Sequence, residues 1–350
     1  ETEKTNRCQG ITDIYRNTKG NPELLSHYTQ KLYLAVKAPN KLIRKGDTAM
    51  VDFFLVNEQN MQGPADLIVE IHAGNQLLKT DTFQTKASGG TTFGELLKPN
   101  YKIDTIPSGH SYRLNINARL VQDEQVKARG HEQLYALKQA VDSLPCNIAV
   151  SDSSHKIQDF FTQKQQAHFS YSTDSMPPES PLWIIGTHRP DSLTTGLTEW
   201  IREGNTLILL DNPGKWLGLF PDSLNINYQG EESLQANSPG AASYFVKNHP
   251  VFAGLPVNQV MGWEYQNLVR KQAIGKGLKI KGNKPLVGAI TNENPRIYNI
   301  LGEIKLGKGT IIYSSFNILP KLLSSEKASA VPQRVFWNML HYAQNLKSPI

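Results

Sequence analysis

Cysteine is scarce in this 350-residue sequence: Cys8 and Cys146 are the two present. Two thiols build neither the disulfide framework of a small secreted scaffold nor a zinc site of four cysteines. Cys146 precedes an apolar run and reads as a small buried hydrophobe, and nothing argues for a bridge to Cys8. No apolar stretch approaches the roughly 20 residues of a helical membrane span, so none is expected. The opening ETEKTNRCQG is polar and lacks the apolar stretch of a signal peptide, which says little about location. A concentration of one charge is also missing. The formal charge is +6, but residues 1–140 carry 18 Lys and Arg against 15 Asp and Glu, and the remainder 19 against 16. Signs so evenly mixed argue against a nucleic-acid partner, which calls for basic residues gathered on one face.

Catalytic signatures are missing too. There is no G-x-S-x-G or G-x-C-x-G, hence no nucleophile on a strand–helix elbow. Ser151-Asp152-Ser153-Ser154 lacks the glycines of a phosphate-binding loop, so no nucleotide or other cofactor is expected. The histidines of the second half, among them His155, His168, His188, His249 and His341, never fall at metal-ligand spacing, so no metal site is expected.

What is present divides the chain in three. Residues 1–30 hold two short apolar patches around a Lys19-Gly20-Asn21-Pro22 turn and cannot form a core, which makes them the tail of a preceding domain. Over 31–138 the hydrophobic period is two, as in Leu32, Leu34 and Val36 or Val51, Phe53 and Leu55, with Gly and Pro turns between runs. That pattern predicts an antiparallel β-sandwich. From 139 to 350, short apolar runs (Asn147–Ser151, Leu182–Gly186, Thr206–Leu210, Gly309–Ser314) alternate with helical stretches at Ile157–Phe161, Asp191–Glu203 and Val331–Ala343. This predicts a three-layer α/β domain with a mainly parallel sheet, and 215–305 adding strands and loops over the sheet's C-terminal edge.

Two groups of residues are candidates for a site. His188 follows the second apolar run and Asp211 the third, at the edge where α/β folds take ligands. Asp211 also heads Asp-Asn-Pro-Gly, a turn in which Asp more often serves as a cap. Trp216 and the run Trp263-Glu264-Tyr265 combine aromatic rings with a carboxylate, a set suited to stacking on sugar C–H faces and bonding sugar hydroxyls. The competing reading places each ring in a core or interface. If exposed, the three rings are expected together at the sheet's C-terminal edge as a carbohydrate platform, with Glu264 as its hydrogen-bonding partner.

Several segments together resemble a known enzyme family. GITDIYRNTKGNPELLSHYTQ, running into KLYLAVKAPNKLIRKGDTAMVDFFLVNEQNMQG with Gly46, Asp47, Asn57 and Glu58, is similar to the end of the catalytic barrel and the following sandwich of family 2 glycoside hydrolases; GHEQLYAL closes the sandwich. NHPVFAGLP, GKGTIIYSSF and FWNMLHYA resemble class I glutamine amidotransferase-like domains. The resemblance implies an immunoglobulin-like β-sandwich followed by a flavodoxin-like α/β domain. It also implies a periplasmic or secreted accessory region of a β-galactosidase- or β-glucuronidase-like enzyme. The family's catalytic glutamates lie in the barrel, and no cysteine stands at the elbow an amidotransferase needs. No catalytic residue is therefore assigned. The expected partners are the barrel of the same polypeptide, an oligosaccharide and a second copy of the chain. The alternative is a self-contained sugar-modifying hydrolase or isomerase using His188, Asp211 and Glu264.

Overall fold

The computed structural model describes residues 16, 18, 21–44, 47–104, 112–137, 144, 146–188, 190–234, 242–269, 276–291 and 296–346. Cys8, Gly46 and the apolar patch at Ile11 and Ile14 lie outside them. The chain forms two compact units, Glu1–Gln139 and Ala140–Ile350. No described helix is long and apolar enough to cross a membrane.

Among the described residues of the first unit, α1 (Pro22–Tyr28) precedes eight strands: β1 (Leu32–Lys37), β2 (Leu42–Arg44), β3 (Ala49–Asn57), β4 (Gln62–Ala73), β5 (Gln76–Ser88), β6 (Thr92–Ile103), β7 (Tyr112–Gln122) and β8 (Gln125–Leu137). They make two sheets, β1-β3-β6 and β2-β8-β7-β4-β5, antiparallel except where β2 runs parallel to β8. The period-two pattern becomes an inside and an outside. Val51, Phe53 and Leu55 of one sheet and Leu67, Val69, Ile116 and Leu134 of the other are fully buried in a shared core. Each such side chain contributes about 1.5–3 kcal/mol by leaving water. This is a β-sandwich.

Two local devices hold it. Asn57 is buried and closes the β3–β4 turn, donating to the Met61 carbonyl at 2.8 Å and accepting from the Met61 amide at 3.0 Å. Gly130 lets β1 approach β8, because a Cβ there would stand 2.3 Å from the Leu34 carbonyl oxygen. The seven residues of α1 are too few for a stable isolated helix. Asn21 caps it on the Glu23 amide at 2.8 Å, and His27 sets its ring against Tyr33 and His131 of the sandwich. In this structure the helix expected to belong to a preceding domain rests on the sandwich unit itself.

The second unit is built on one sheet with eleven strands among the described residues. Its first strands are β9 (Ile148–Ser151), β10 (His168–Ser170), β11 (Leu182–Ile185) and β12 (Thr206–Leu209). The remainder are β13 (Tyr228–Ser233), β14 (Ala242–Val246), β15 (Gln259–Val260), β16 (Lys276–Ile280), β17 (Val287–Thr291), β18 (Tyr298–Leu306) and β19 (Gly309–Ser314). The order β10-β9-β11-β12-β19 is parallel throughout, with Thr206 of β12 in register with Thr310 of β19. The helices are α2 (Lys156–Gln163), α3 (Leu197–Arg202), α4 (Pro213–Leu217), α5 (Gln266–Val269), α6 (Leu319–Leu322) and α7 (Ala330–Asn345). Trp183, Ile185, Leu207, Leu209 and Ile311 turn to one face and share a cluster with Trp200 and Ile201 of α3 and Trp216 and Leu217 of α4. The alternate residues Val150, Ile184, Ile208 and Ile312 are equally buried on the other face. Burial on both faces is why these strands read as continuous apolar runs. Phe160 and Phe161 of α2 pack their rings against Phe336 and Trp337 of α7, with Phe161 stacked on Phe336.

Two expectations need correction. The sheet is mixed, not mainly parallel: β18 returns antiparallel to β19, and β17, β14 and β15 continue antiparallel while β16 and β13 attach through β18. The 215–305 segment thus widens the sheet sideways. The reason is the tight turn at Gly307 and Lys308, where Gly307 takes a φ of +61° and sends the chain straight back beside β18. The helix expected over 191–203 is shorter, because Gly196 at φ +82° starts α3 at Leu197.

Candidate functional site

The parallel strands carry their C-terminal ends to one edge, and four sequence candidates or their neighbours stand there. Asp152 follows β9 and is buried. Its Oδ1 accepts from the Ser154 amide at 3.0 Å, the Ser154 hydroxyl at 2.8 Å and the Thr187 amide at 3.1 Å; Oδ2 accepts from the Ile157 amide at 3.1 Å. Burial works to raise its carboxyl pKa, but these hydrogen bonds outweigh burial and hold it below the ordinary value. Asp152 is a structural anchor that ties the start of α2 to the end of β11.

His188, two residues past Gly186, is half-buried, with Nε2 2.6 Å from the Thr173 hydroxyl and its ring 6.0 Å from that of Trp216. Asp211 follows β12 in a left-handed conformation at φ +64°. The Asn212 amide bonds the Leu210 carbonyl across it at 2.9 Å. A three-residue turn with a positive central φ is the strained γ form. The Asp211 side chain accepts from Asn212 Nδ2 at 3.3 Å.

The aromatic platform is not what the structure presents. Trp216 is 1% exposed and Tyr265 0%, and Glu264 is 2% exposed. Pro213 at the first helical position starts α4, which turns the Trp216 indole into the core. Its Nε1 is buried without a hydrogen-bond partner among the described residues. Trp263, Glu264 and Tyr265 form a single 3₁₀ turn, in which Trp263 stays half-buried. The Tyr265 hydroxyl donates to the Pro256 carbonyl, and its ring meets Phe252 at 6.4 Å. His188 and Trp216 are thus brought together, while Tyr265 packs in a separate setting.

The first unit carries a second candidate, which sequence reading missed. Outward side chains of β4, β7 and β8 line up in three rows across the five-stranded sheet. Glu70, Asn117 and His131 form the middle row, His72, Asn115 and Gln133 one flank, and Ile68, Arg119 and Arg129 the other. Two adjoining clefts of 460 and 400 Å³ share Asn117 and His131. Two pairs are preorganised within the array: Arg119 pairs with Glu70 at 2.5 Å, and Gln133 donates to Asn115 at 2.9 Å. His72 Nε2 lies 3.5 Å from Glu70, yet among the described residues it is buried without a hydrogen bond, as is His27 Nε2. Burial, then the neighbouring His131, pushes the His27 pKa down. Over the array stands α1, with Tyr28 54% exposed and its ring 5.9 Å from that of His131. Asparagine is disfavoured in strands, so Asn115 and Asn117 at alternate positions of β7 were the available signal. Among the described residues no group of His, Cys, Asp and Glu could hold a metal ion.

No family model matches the chain, and no curated protein matches it. Among solved structures it is similar to a glycosyl hydrolase family 2 member from Bacteroides cellulosilyticus (15% identity, TM-score 0.23), covering 52% of this chain and 27% of that one. It is similar to an exo-β-1,4-mannosidase from Opitutaceae bacterium strain TAV5 (10% identity, TM-score 0.33), covering 57% of this chain and 36% of that one. A CARDB domain from Pyrococcus furiosus is similar to a smaller part, at 13% identity and TM-score 0.22, covering 30% of this chain and 87% of that one. The chain therefore spans about a quarter to a third of the length of the two glycoside hydrolases.

Proposed function

We propose that this chain is a non-catalytic accessory region of a polysaccharide-degrading glycoside hydrolase of the family 2 kind, working in the periplasm or outside the cell. A catalytic barrel on the same polypeptide would supply the glutamates, and the region would support that barrel, oligomerise or hold glycan. The first unit then corresponds to the immunoglobulin-like sandwich that follows the barrel. We read the second as a flavodoxin-like domain related to class I glutamine amidotransferases. The order β10-β9-β11-β12-β19 supports this, since it is the 2-1-3-4-5 arrangement of parallel strands.

The observation that carries the non-catalytic half is the way the sheet's edge spends its polar groups. The Asp152 carboxylate accepts four hydrogen bonds from its own chain, which occupy both of its oxygens. His188 Nε2 is engaged by Thr173. After β12, a strained aspartate stands where a nucleophile elbow would place cysteine. The purified chain is expected to release no chromophore from aryl β-glycosides and no ammonia from glutamine. Turnover that disappears in Asp211→Asn or His188→Gln would overturn this reading. That result would favour a self-contained sugar-modifying hydrolase or isomerase, for which the strained turn at Asp211 is the supporting feature.

A further inference from the structure

We infer that the outer face of the β4-β7-β8 sheet is a binding site for a short acidic oligosaccharide, seated over Asn117 and His131 and anchored through a carboxylate on Arg129. The inference rests on the accessory reading and deepens it, because it names a surface and a ligand class.

Three features set this face apart. It is polar where a solvent-facing sheet needs no such pattern: eight of the nine positions in the array, all but Ile68, carry hydrogen-bonding side chains. Strands lie about 4.8 Å apart and same-face residues about 6.8 Å apart, so the array measures roughly 10 by 14 Å, the scale of a short oligosaccharide. Arg119 is taken up by Glu70 and Gln133 by Asn115, whereas the side chains of Asn117 and Arg129 make no hydrogen bond among the described residues. Both are exposed. Tyr28, exposed and with its ring 5.9 Å from that of His131, offers an aromatic surface for a sugar's C–H face.

The chemistry narrows the ligand. β7 is paired on both sides, to β4 and β8, so its backbone groups are consumed and an added peptide strand has nothing to bond. Recognition must run through side chains. Arg119 already neutralises Glu70, which leaves Arg129 as the uncompensated guanidinium of the array. One free fork suits a single carboxylate held by two parallel bonds. It is too little positive charge for a nucleic-acid backbone. The neutral amides of Asn115, Asn117 and Gln133 suit hydroxyl groups, which both donate and accept.

The test is a titration of the full chain with trigalacturonic acid and with maltotriose, a neutral trimer, followed by amide chemical shifts and calorimetry. Saturable binding of the acidic trimer is expected, with shifts gathered on β7, β8 and α1 and affinity falling as salt rises. Arg129→Gln and Asn117→Ala, both exposed and neutral for the fold, should each weaken binding at least tenfold with unchanged thermal midpoints. Tyr28→Ala should weaken it severalfold. Absence of saturable binding, equal binding of maltotriose, or affinity untouched by Arg129→Gln and Asn117→Ala would overturn the inference. Turnover by the chain would sink the accessory reading; no turnover with no binding would sink this inference alone.

Discussion

Asp152 separates a structural sheet edge from a catalytic one. Replacing it with alanine leaves the Ile157 amide, which is fully buried, and the Ser154 and Thr187 amides, which are partly reached by water, without their acceptor. A buried donor left unmade costs about 1–3 kcal/mol, so Asp152→Ala should destabilise the second unit by about 3–5 kcal/mol. Asp152→Asn is the sharper comparison. An amide oxygen at the Oδ1 position keeps the three bonds from Ser154 and Thr187, but its NH2 then faces the Ile157 N–H, at a cost of about 1–2 kcal/mol. Stability should therefore fall in the order Asp, Asn, Ala. All five tryptophans, Trp183, Trp200, Trp216, Trp263 and Trp337, lie in the second unit, so urea unfolding followed by tryptophan fluorescence reports that unit without the sandwich.

The pH dependence has a definite sign. The Asp152 carboxyl is held below its ordinary value, so its contribution is fully present above the unfolded pKa, about 3.9. It is lost as pH falls through the still lower folded value. Asp152→Asn should flatten that acid limb and leave the neutral plateau lower. Should Asp152→Ala unfold within about 1 kcal/mol of the native chain, with the same acid limb, the anchoring argument fails. The carboxylate would then be idle in the fold and available to a ligand.

Two further outcomes test the packing. Trp216→Ala should cost the second unit about 3–5 kcal/mol by cavity formation, read as a lower urea midpoint from the remaining four tryptophans; a midpoint unchanged would return Trp216 to the surface. Gly130→Ala should destabilise the sandwich by about 2–4 kcal/mol, because the new methyl meets backbone that no rotamer change can move. Far-UV circular dichroism should show the loss while tryptophan fluorescence does not.

The parts of the fold readable from sequence are those whose burial imposes a period. Val51, Phe53 and Leu55 alternate because one side of β3 is core, and Leu207 to Leu209 run continuously because both sides of β12 are. The antiparallel strands β13 to β18 were not separable from loops, since their direction is set by turns such as Gly307-Lys308 and by pairings between distant segments. The same limit explains the sites. Trp216 follows Asn-Pro-Gly-Lys, which reads as a turn until Pro213 is seen to open a helix. The rows Glu70-Asn117-His131 and His72-Asn115-Gln133 exist only once three strands are in register, and a one-residue slip would turn each set into the core.

The pairing of Thr206 with Thr310 has a consequence for how the second unit comes into being. β12 is complete early in that unit's sequence, yet its partner on one side, β19, is translated only after all the intervening strands. Until then β12 is an apolar strand with one open ladder, the form most prone to pairing with the wrong chain. Contacts of such long range are slow to close. A nascent chain halted before Gly309 should therefore stay protease-sensitive and sticky, and protection should arrive abruptly once Ser314 has cleared the ribosome.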